Sequence, residues 1–565
     1  MTCTFEGCTN NKFAPHKECA LHCVKSNYQD DSLKGILSEF YKLLSIYIAD
    51  LIDSTATPMF RTRSGHTLPL PKPDPNSNYK IGISQRIRNE NLNGEEIRKL
   101  ISTRNVNELI ILQEIHFPDR KSRDSFDYFQ LLELFSDIHL LDCHFYIGDW
   151  QLGDVSFFFQ GCMFYNQFDI TPVRMLSNDT NCLFSECDFK NKVRVSPTEI
   201  NSIFEDSLFS GCSFENDLVI ERLIFRKEVI SYTDNTQSKL FAIEISKCIF
   251  EDKIKINNMK LACLNIEDTE FQSKLEVKET TAQLFIFKNS NVSKVFDLFG
   301  SNFIKAKFSK SIFNDFAGFE DVQFGSEQEK GNKDFLTIFK YVTFMDFSSF
   351  RGAKFSSGLD FSKTNLKDTP NFLDVHISPE NTDRETFRIV KNSFDDTGNK
   401  IEANRFFVKE MNAYQRELIK TKDKEVRHIK NLKNSGKKDE VKLYKNSKSY
   451  KSSKRARWVF NINSFISEFG SNYMRPISIL FFLAIIYTSI TLWHEWYFKS
   501  HEYFMSWKWF DFISKPLNEF AINILPFRIF IKDRSGIEFI SLIFYVLFAI
   551  LIWQIVVAVK RHTQR

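Results

Sequence analysis

The sequence predicts a mainly β chain, in which a coiled array of short strands is flanked by α-helices and followed by two membrane-spanning helices. Three observations support this fold class. A large apolar residue recurs every five positions in the middle of the chain, two long apolar segments lie near the C-terminus, and Cys and His residues cluster at the N-terminus. At 565 residues the chain is long enough for more than one domain.

The five-residue period is clearest in residues 202–220, which read SIFEDSLFSGCSFENDLVI. The apolar positions there are Phe204, Phe209, Phe214 and Val219. Neither an α-helix, with 3.6 residues per turn, nor a strand, which alternates at two, keeps such a repeat on one face. A chain that turns a corner every five residues would send one residue of each unit inward. Four units would then close a square coil, and stacked coils would pair at about the strand spacing of 4.8 Å.

Small residues stand two positions before many of these apolar residues, and the pattern returns in NCLFSECDF (181–189), GSNFIKAKFSKSIF (300–313) and SSFRGAKF (348–355). It resembles the pentapeptide-repeat family, whose unit is a small residue, a polar residue, Leu or Phe, and two variable residues. The resemblance spans residues 105–378 and implies a right-handed, quadrilateral β-helix of about ten coils, roughly 50 Å long at strand spacing. The pattern weakens at 221–240 and 255–300, where we expect insertions or a distorted coil.

The cysteines do not form a disulfide framework by this interpretation. Five of the eleven occupy the small-residue position of repeat units, namely Cys162, Cys182, Cys187, Cys212 and Cys248. A thiol at such a position acts as a small hydrophobe, and free thiols suit a reducing cytosol. We expect no signal peptide, because the first apolar stretch follows a charged, Cys-rich beginning.

The two apolar segments near the C-terminus predict transmembrane helices at about 476–496 and 537–559. A bilayer core needs about 20 predominantly apolar residues in a helix, and aromatic residues at the segment ends suit the membrane interface. The alternative is a pair of buried core helices. With the spans included, residues 459–565 are predicted to form a membrane domain.

The distribution of Lys and Arg predicts the orientation of the hairpin. Residues 420–457 carry 15 Lys and Arg against 4 Asp and Glu, and KRHTQR follows the second span. The positive-inside rule therefore places both termini in the cytoplasm of a multi-pass protein. We predict a basic juxtamembrane linker at 421–458 that binds anionic lipid head groups. We expect no nucleic-acid partner, because no nucleic-acid-binding motif accompanies the basic run.

The loop between the two spans contains FISKPLNEFAINILPFRIF, residues 512–530. This segment is apolar enough to lie in the membrane interface as an amphipathic helix ending at Pro526. A pore segment that re-enters the bilayer is the alternative, although no filter-like sequence is present.

The N-terminal segment, residues 1–27, is predicted to bind metal. Zinc prefers four tetrahedral Cys or His ligands, paired on two short turns. Cys3 and Cys8 form one pair, and Cys19 with His22 forms the other. The spacing resembles very small zinc-binding motifs of the form C-x4-C-x10-C-x2-H, which assigns these four residues to a structural zinc ion with no open position.

Two further residues of this segment are alternative candidates for metal ligands. Cys23 could replace His22, and His16 is an additional candidate. The alternative for the whole segment is a group of ordinary reduced cysteines. If zinc is bound, it would let a segment too small for a hydrophobic core fold at all.

Between this motif and the repeats, residues 28–104 are predicted to be helical with a proline-rich linker. Apolar residues recur at helical spacing within 31–53. LPLPKPDPNSN at 68–78 interrupts the pattern. A second helix at 94–103 leads into the first coil and is expected to help cover its open sheet edge.

A helical segment is predicted at 379–420, after the repeats. EANRFFVKEMNAYQRELIK (402–420) and ISEFGSNYMRPISIL (466–480) resemble the region that follows the repeats in bacterial pentapeptide-repeat membrane proteins. The matching residues are Ala403, Asn404, Phe406, Glu410, Met411, Ala413, Glu417, Leu418, Ser467, Phe469, Gly470, Ser471, Arg475 and Pro476. The resemblance implies a protein anchored in the bacterial inner membrane. We expect Glu410 and Glu417 to lie on solvated flanks of the helix.

No catalytic constellation emerges, because G-x-S-x-G, P-loop and H-E-x-x-H motifs do not occur and the remaining His residues are scattered. We therefore predict a non-enzymatic, membrane-anchored interaction or sensor protein whose cytoplasmic rod binds an unidentified protein partner. The alternative is a membrane effector, acting in stress or phage defence, that forms a homo-oligomeric channel or leak. A DNA-mimic rod fits less well, because the rod is only mildly acidic and the chain carries a membrane anchor.

Overall fold

The computed structural model describes residues 2–25, 35–53, 59–61, 67–69, 82–103, 109–119, 126–148, 150, 155–171, 174–175, 182–197, 202–204, 206–230, 240–500 and 537–563. Residues 70–78 of the proline-rich stretch and the predicted interfacial segment 512–530 lie outside these ranges. The chain divides into two compact units, Met1–Asn381 and Thr382–Arg565, which are described separately.

The first unit begins with helices and a short hairpin. Its helices are α1 (Ile36–Asp53), α2 (Ile83–Asn89), α3 (Gly94–Ser102) and the single turn α4 (Phe129–Leu132). The antiparallel hairpin consists of β1 (Met59–Arg61) and β2 (Thr67–Pro69). The apolar stripe predicted for 31–53 lies in α1, where Phe40 and Leu44 are fully buried. Asn93 begins α3 with a capping box, since its side chain accepts from the Glu96 amide and the Glu96 carboxylate accepts from the Asn93 amide.

A parallel β-solenoid of about ten turns fills the rest of this unit. Its first strands are β3 (Leu109–Gln113), β4 (His116–Phe117), β5 (Asp137–Leu141), β6 (His144–Phe145), β7 (Ser156–Gln160), β8 (Met163–Phe164), β9 (Phe168–Ile170), β10 (Arg174–Met175), β11 (Cys182–Ser185), β12 (Asp188–Phe189), β13 (Val193–Val195), β14 (Ile203–Phe204), β15 (Ser207–Ser210), β16 (Ser213–Phe214), β17 (Leu218–Glu221) and β18 (Ile224–Phe225).

The later strands are β19 (Phe241–Ser246), β20 (Ile249–Phe250), β21 (Ile254–Lys255), β22 (Lys260–Glu267), β23 (Glu270–Phe271), β24 (Leu275–Glu276), β25 (Thr281–Lys288), β26 (Asn291–Val292), β27 (Phe296–Asp297), β28 (Asn302–Ser309), β29 (Ile312–Phe313), β30 (Ala317–Gly318), β31 (Gln323–Phe324), β32 (Thr337–Lys340), β33 (Thr343–Phe344), β34 (Ser348–Ser349), β35 (Lys354–Phe355), β36 (Leu359–Asp360), β37 (Asn365–Leu366) and β38 (His376–Ile377). Each pairs in parallel with strands of the neighbouring coils. The predicted mainly β solenoid with flanking helices is therefore confirmed.

Stacked aromatic rings fill the solenoid, because in-register pairing places the apolar residue of one coil directly above that of the next. Phe164 stacks on Phe189 with ring centroids 4.7 Å apart, and Phe189 stacks on Phe214 at 5.2 Å. Phe308 and Phe339 stack at 4.4 Å farther along the rod. These rings are almost fully buried. The apolar positions of the five-residue units are thus the core of the solenoid. Val219 is an exception to the prediction, because it is half-buried between the fully buried Leu218 and Ile220.

The number of residues per coil varies along the rod. Paired residues are 25 apart between β11 and β15, 21 apart between β23 and β26, and 31 apart between β28 and β32. In one 21-residue coil, the buried residues Leu261, Ile266 and Phe271 keep the five-residue step. The step from Phe271 to the fully buried Val277 is six residues, and the five-residue step then resumes to Ala282.

Strands β25 and β28 pair at one 21-residue offset from Thr281 and Asn302 to Lys288 and Ser309. The register of β19 against β22 shifts between Phe241 and Ala242, opposite Leu261 and Cys263. A local irregularity thus lies within 255–300, where the sequence predicts insertions or a distorted coil.

Small residues at the corners also bond the coils together. The buried thiol of Cys162 donates to the Leu140 carbonyl at 3.3 Å. In later coils, a hydroxyl accepts a hydrogen bond from a backbone amide of the preceding coil. For example, the Thr269 amide donates to Ser290 Oγ at 3.1 Å. A small side chain is required where corners crowd, and a thiol or hydroxyl also satisfies buried backbone groups there. All eleven cysteines are free thiols.

The second unit is helical. Its helices are α5 (Arg384–Asp396), α6 (Lys400–Asn434), α7 (Lys438–Asn446), α8 (Lys448–Ser467), α9 (Met474–Ser500) and α10 (Glu538–Thr563). The basic stretch 421–458 is helical, since α6, α7 and α8 cover most of it. Helices α9 and α10 are long and apolar enough to cross a membrane, and they are joined by a buried hydrogen bond from Tyr487 Oη to Ser541 Oγ at 3.0 Å.

Glu410 does not lie on a solvated flank, and that expectation is wrong. Its side chain is buried on α6, where it contacts Arg384 Nε at 3.5 Å and Arg388 Nε at 3.2 Å. Arg384 also stacks over the ring of Tyr414 at 4.0 Å. The α5–α6 hairpin folds two arginines over the carboxylate, which sequence spacing within α6 alone does not reveal. Glu417 is exposed, as expected.

Candidate metal centre

A loop closed by one tight turn positions the first two ligand residues. The Cys3 amide donates to the Asn10 carbonyl at 2.8 Å, and the Cys8 amide donates to the Phe5 carbonyl at 3.1 Å. Gly7 lies between Phe5 and Cys8 with φ +78°, a conformation that a side chain would strain. The turn carries the Cys8 thiol back toward Cys3.

A second turn supplies the other pair. The His22 amide donates to the Cys19 carbonyl at 3.1 Å, which places both side chains on one side of the chain. The ring of Phe5 stacks on His22 with centroids 4.1 Å apart and thereby fixes the imidazole plane. The Cys19 amide donates to Cys3 Sγ at 3.1 Å, which links the two turns.

The four predicted ligand residues converge, with all ligand atoms within 4.8 Å of one another. Cys8 Sγ lies 3.8 Å from Cys19 Sγ, and His22 Nδ1 lies 3.4 Å from Cys19 Sγ and 3.8 Å from Cys3 Sγ. A tetrahedral ion with bonds of about 2.3 Å to sulfur and about 2.0 Å to nitrogen requires separations of about 3.8 Å and about 3.5 Å. The donor set therefore fits a metal ion.

Burial sets the protonation of the ligands. It raises the pKa of Cys19 to about 12 and raises the pKa of Cys8. It lowers the pKa of His22 to about 4, an effect that the nearby Lys25 ammonium adds to. The imidazole is therefore neutral and ready to bind a metal, whereas a metal ion must displace protons from the thiols.

The two alternative ligand residues lie outside the group of four. Cys23 is fully buried, and its carbonyl accepts from the Lys25 ammonium at 2.8 Å. His16 stacks against Phe13 at 6.3 Å. Spacing alone does not decide between His22 and Cys23 as the fourth ligand, because Cys19 lies within one turn of both.

The metal segment, residues 2–25, covers the first coil of the solenoid. The His116 amide of edge strand β4 donates to the Leu21 carbonyl at 2.7 Å. Helix α1 covers the same end, because Phe40 packs edge-on against Phe117 at 5.8 Å and Tyr128 at 5.2 Å. An open edge of this kind would otherwise pair with other chains. The segment predicted to cap the rod was 94–103, but these contacts come from the metal segment and α1.

Lys25 is a residue that sequence reasoning missed. Its ammonium is fully buried and lies 5.4 Å from the Phe40 ring. Burial lowers the pKa of Lys25 to about 8, against the opposing effect of Cys23 and Cys19. The sequence does not indicate that Lys25 is buried, because a lysine between a Cys-rich motif and an apolar helix is equally compatible with an exposed side chain.

Two of the scattered histidines of the solenoid stack on each other. His116 and His144 stack with centroids 4.0 Å apart, and His144 Nδ1 lies 2.9 Å from the Tyr165 hydroxyl. Burial lowers the pKa of His116 to about 2, and it also lowers the pKa of His144. These half-buried rings stack between coils on the face of each strand opposite the inward-facing Phe117 and Phe145.

The residues that resemble the bacterial membrane-protein motif meet at the base of α9 and α10. Asn404 Nδ2 donates to the Arg561 carbonyl at 2.7 Å, and the Arg561 guanidinium donates to the Phe469 carbonyl. Gly470 has φ +80°, and a Cβ there would lie 3.0 Å from Arg561 Nη1. Ser467 Oγ binds Gln554 Oε1 at 3.0 Å. Together these contacts tie α6 and the turn after α8 to α10.

No protein-family model, curated protein or solved structure matches the chain. The structure itself defines a class, a β-solenoid protein with a Cys/His cluster that could bind a metal and two membrane-length helices.

Proposed function

We propose that this chain is a non-enzymatic, membrane-anchored interaction or sensor protein that presents its solenoid to a protein partner. The observation that carries the proposal is the outward-facing apolar surface of the two long helices. Phe481 of α9 and Trp553 of α10 are 68% and 66% exposed. Such helices need a lipid environment, while a solenoid of stacked coils supplies a long surface for binding.

The metal centre supports a structural role within this function. Three cysteines and one histidine form a closed set of four protein ligands, which is the pattern of structural zinc. The ion is proposed to be zinc, because thiolate and imidazole ligands at tetrahedral spacing favour it. Because the site lies at the covered end of the solenoid, the ion would stabilise the packing of the metal segment on the first coil.

Membrane orientation follows from the charged ends of the hairpin. The basic helices α6 to α8 precede the first span, and Arg561 ends the second. We infer that both termini and the solenoid face the cytoplasm, as the positive-inside rule predicts. The bacterial inner membrane is the proposed location, because residues 402–420 and 466–480 resemble bacterial pentapeptide-repeat membrane proteins.

The proposal is tested by expressing the full chain in bacteria and extracting the membranes with alkaline carbonate. The chain should stay in the pellet, and a variant that ends at residue 470 should become extractable. Extraction of the full chain would refute membrane anchoring. The homo-oligomeric leak is the competing function, and it rests on residues 512–530. Dye entry that disappears when these residues are deleted would favour it.

A further inference from the structure

Helix α8 divides into a basic half and an apolar half. Lys448–Arg457 carries five Lys and Arg residues and no acidic residue. Beyond Arg457 the side chains are mainly apolar, and Trp458 and Phe465 are 67% and 72% exposed. Exposed aromatic residues of this size are unusual on a surface that faces water, but they are typical of a helix at a membrane interface.

A second face of α8 packs against α6. The ring of Phe460 packs edge-on against Tyr414 at 4.7 Å. Arg457 pairs with the buried Glu425 at 2.9 Å. The Asn461 side chain accepts from Gln415 Nε2 at 3.1 Å. These contacts fix the rotation of α8, so that its exposed apolar stripe faces away from α6.

That stripe forms one wall of a groove of about 370 Å³, whose other walls are α9 and α10. Residues that line it include Trp458, Ile462, Phe465, Leu483, Leu547 and Leu551. The lining is almost wholly apolar, and the volume falls in the range of about 300–1,000 Å³ typical of ligand sites. Two walls are candidate membrane spans, so the groove continues the lipid-facing surface of the protein.

Positive charge lies at one end of the same stripe. Lys451, Lys454 and Arg455 are exposed, and among the described residues none of them forms an ion pair. They precede Trp458 by three to seven positions, which places them on the helix faces next to it. The groove thus offers an apolar slot beside a cluster of cations, the two parts that an anionic phospholipid combines.

We propose that the groove between α8, α9 and α10 binds an anionic phospholipid, with an acyl chain in the apolar slot and the phosphate at Lys451, Lys454 and Arg455. Helix α8 then lies in the interface as a third membrane-bound element. The inference rests on the proposed membrane anchoring. It adds a specific lipid site, which anchoring by two spans does not require.

The test uses the full chain in nanodiscs of phosphatidylcholine that contain a minority of phosphatidylglycerol with a photoreactive acyl chain. Crosslinks should concentrate at the groove residues. The triple variant K451Q/K454Q/R455Q should retain phosphatidylglycerol about 100-fold more weakly through detergent exchange, as measured by native mass spectrometry. The matched variant K433Q/K442Q/K445Q removes the same charge from exposed positions off the groove and should retain it.

A second variant tests the acyl slot without changing charge. Ile550 lines the groove and is 46% exposed, so Ile550→Trp should fill the slot without disturbing the core. It should abolish crosslinks at Phe465 while the chain stays in the membrane fraction. Equal retention of phosphatidylcholine and phosphatidylglycerol, crosslinks spread evenly over α9 and α10, or a crosslink between two protein chains at the groove would overturn the proposal. Extraction of the chain by carbonate would instead refute the anchoring itself.

Discussion

The metal centre gives the sharpest prediction, through the pair of substitutions Cys19→Ser and Cys23→Ser. Both residues are fully buried cysteines four positions apart, so the two variants remove the same atom from similar surroundings. Only Cys19 has its Sγ within the group of ligand atoms. The pair therefore separates loss of a ligand from loss of a buried thiol.

The expected magnitude follows from the geometry. The proposed zinc ion would be held by all four ligands, and structural zinc in small motifs contributes about 10–16 kcal/mol of binding free energy. Loss of one sulfur, 3.8 Å from Cys8 Sγ and 3.4 Å from His22 Nδ1, opens the site. Zinc content should fall from one ion per chain to near zero at micromolar free metal. Cys23→Ser should keep the full content.

The structural consequence is measurable at the end of the solenoid. The His116 amide is bonded to the Leu21 carbonyl, so release of the metal segment removes its protection from hydrogen exchange. Elemental analysis and exchange mass spectrometry of purified full-length protein provide both measurements. Exchange at Phe308, far along the rod, should not change. The reasoning would be refuted if Cys19→Ser kept one zinc per chain, or if Cys23→Ser lost it.

Three further predictions concern the core of each unit. Glu410→Gln should destabilise the α5–α6 hairpin by about 2–3 kcal/mol in thermal unfolding, since it leaves two arginines without their buried carboxylate; Glu417→Gln, on the exposed side of the same helix, should cost less than about 0.5 kcal/mol, and equal effects would contradict the buried pairing. Phe308→Ala should cost about 3–5 kcal/mol and raise hydrogen exchange only in the adjoining coils, whereas Phe347→Ala, at a ring that is 40% exposed, should leave exchange unchanged; a uniform rise along the rod would contradict nearest-neighbour stacking. Burial lowers the pKa of His139 from 6.5 to about 4, so its protonation favours the unfolded chain. The free energy of unfolding should therefore decline by up to about 3 kcal/mol as the pH falls from 6.5 through 4. In urea titrations His139→Leu should flatten this decline, and an unchanged pH profile would refute the assignment.

The parts of the fold that sequence reasoning predicted are those fixed by local repetition. Phe204, Phe209 and Phe214 point inward because one residue per corner must, whatever the rest of the chain does. The small residues were predictable for the same reason, since Cys162 and Cys212 lie where corners crowd. The number of residues per coil was not predictable, because it depends on how each corner closes, as in the six-residue step from Phe271 to Val277.

The site was predicted in part for a similar reason. Cys3, Cys8 and Cys19 follow from motif spacing, but the choice between His22 and Cys23 depends on the direction of a turn. Residues brought together by distant segments gave no signal. The carboxylate of Glu410 meets arginines from the preceding helix, and the Arg561 guanidinium reaches Phe469 across 92 positions. Such contacts become visible only once the helices are packed.

The anchoring of the rod on the cytoplasmic side of a membrane is the central claim, and protease protection tests it most directly. Cells would express the chain with a tag at either terminus and a third form with a tag within 501–536. Protease added outside intact spheroplasts should remove only the internal tag, whereas protease added to inverted membrane vesicles should remove both terminal tags. Terminal tags cleaved from outside, or tags cleaved only in a soluble fraction, would contradict the account.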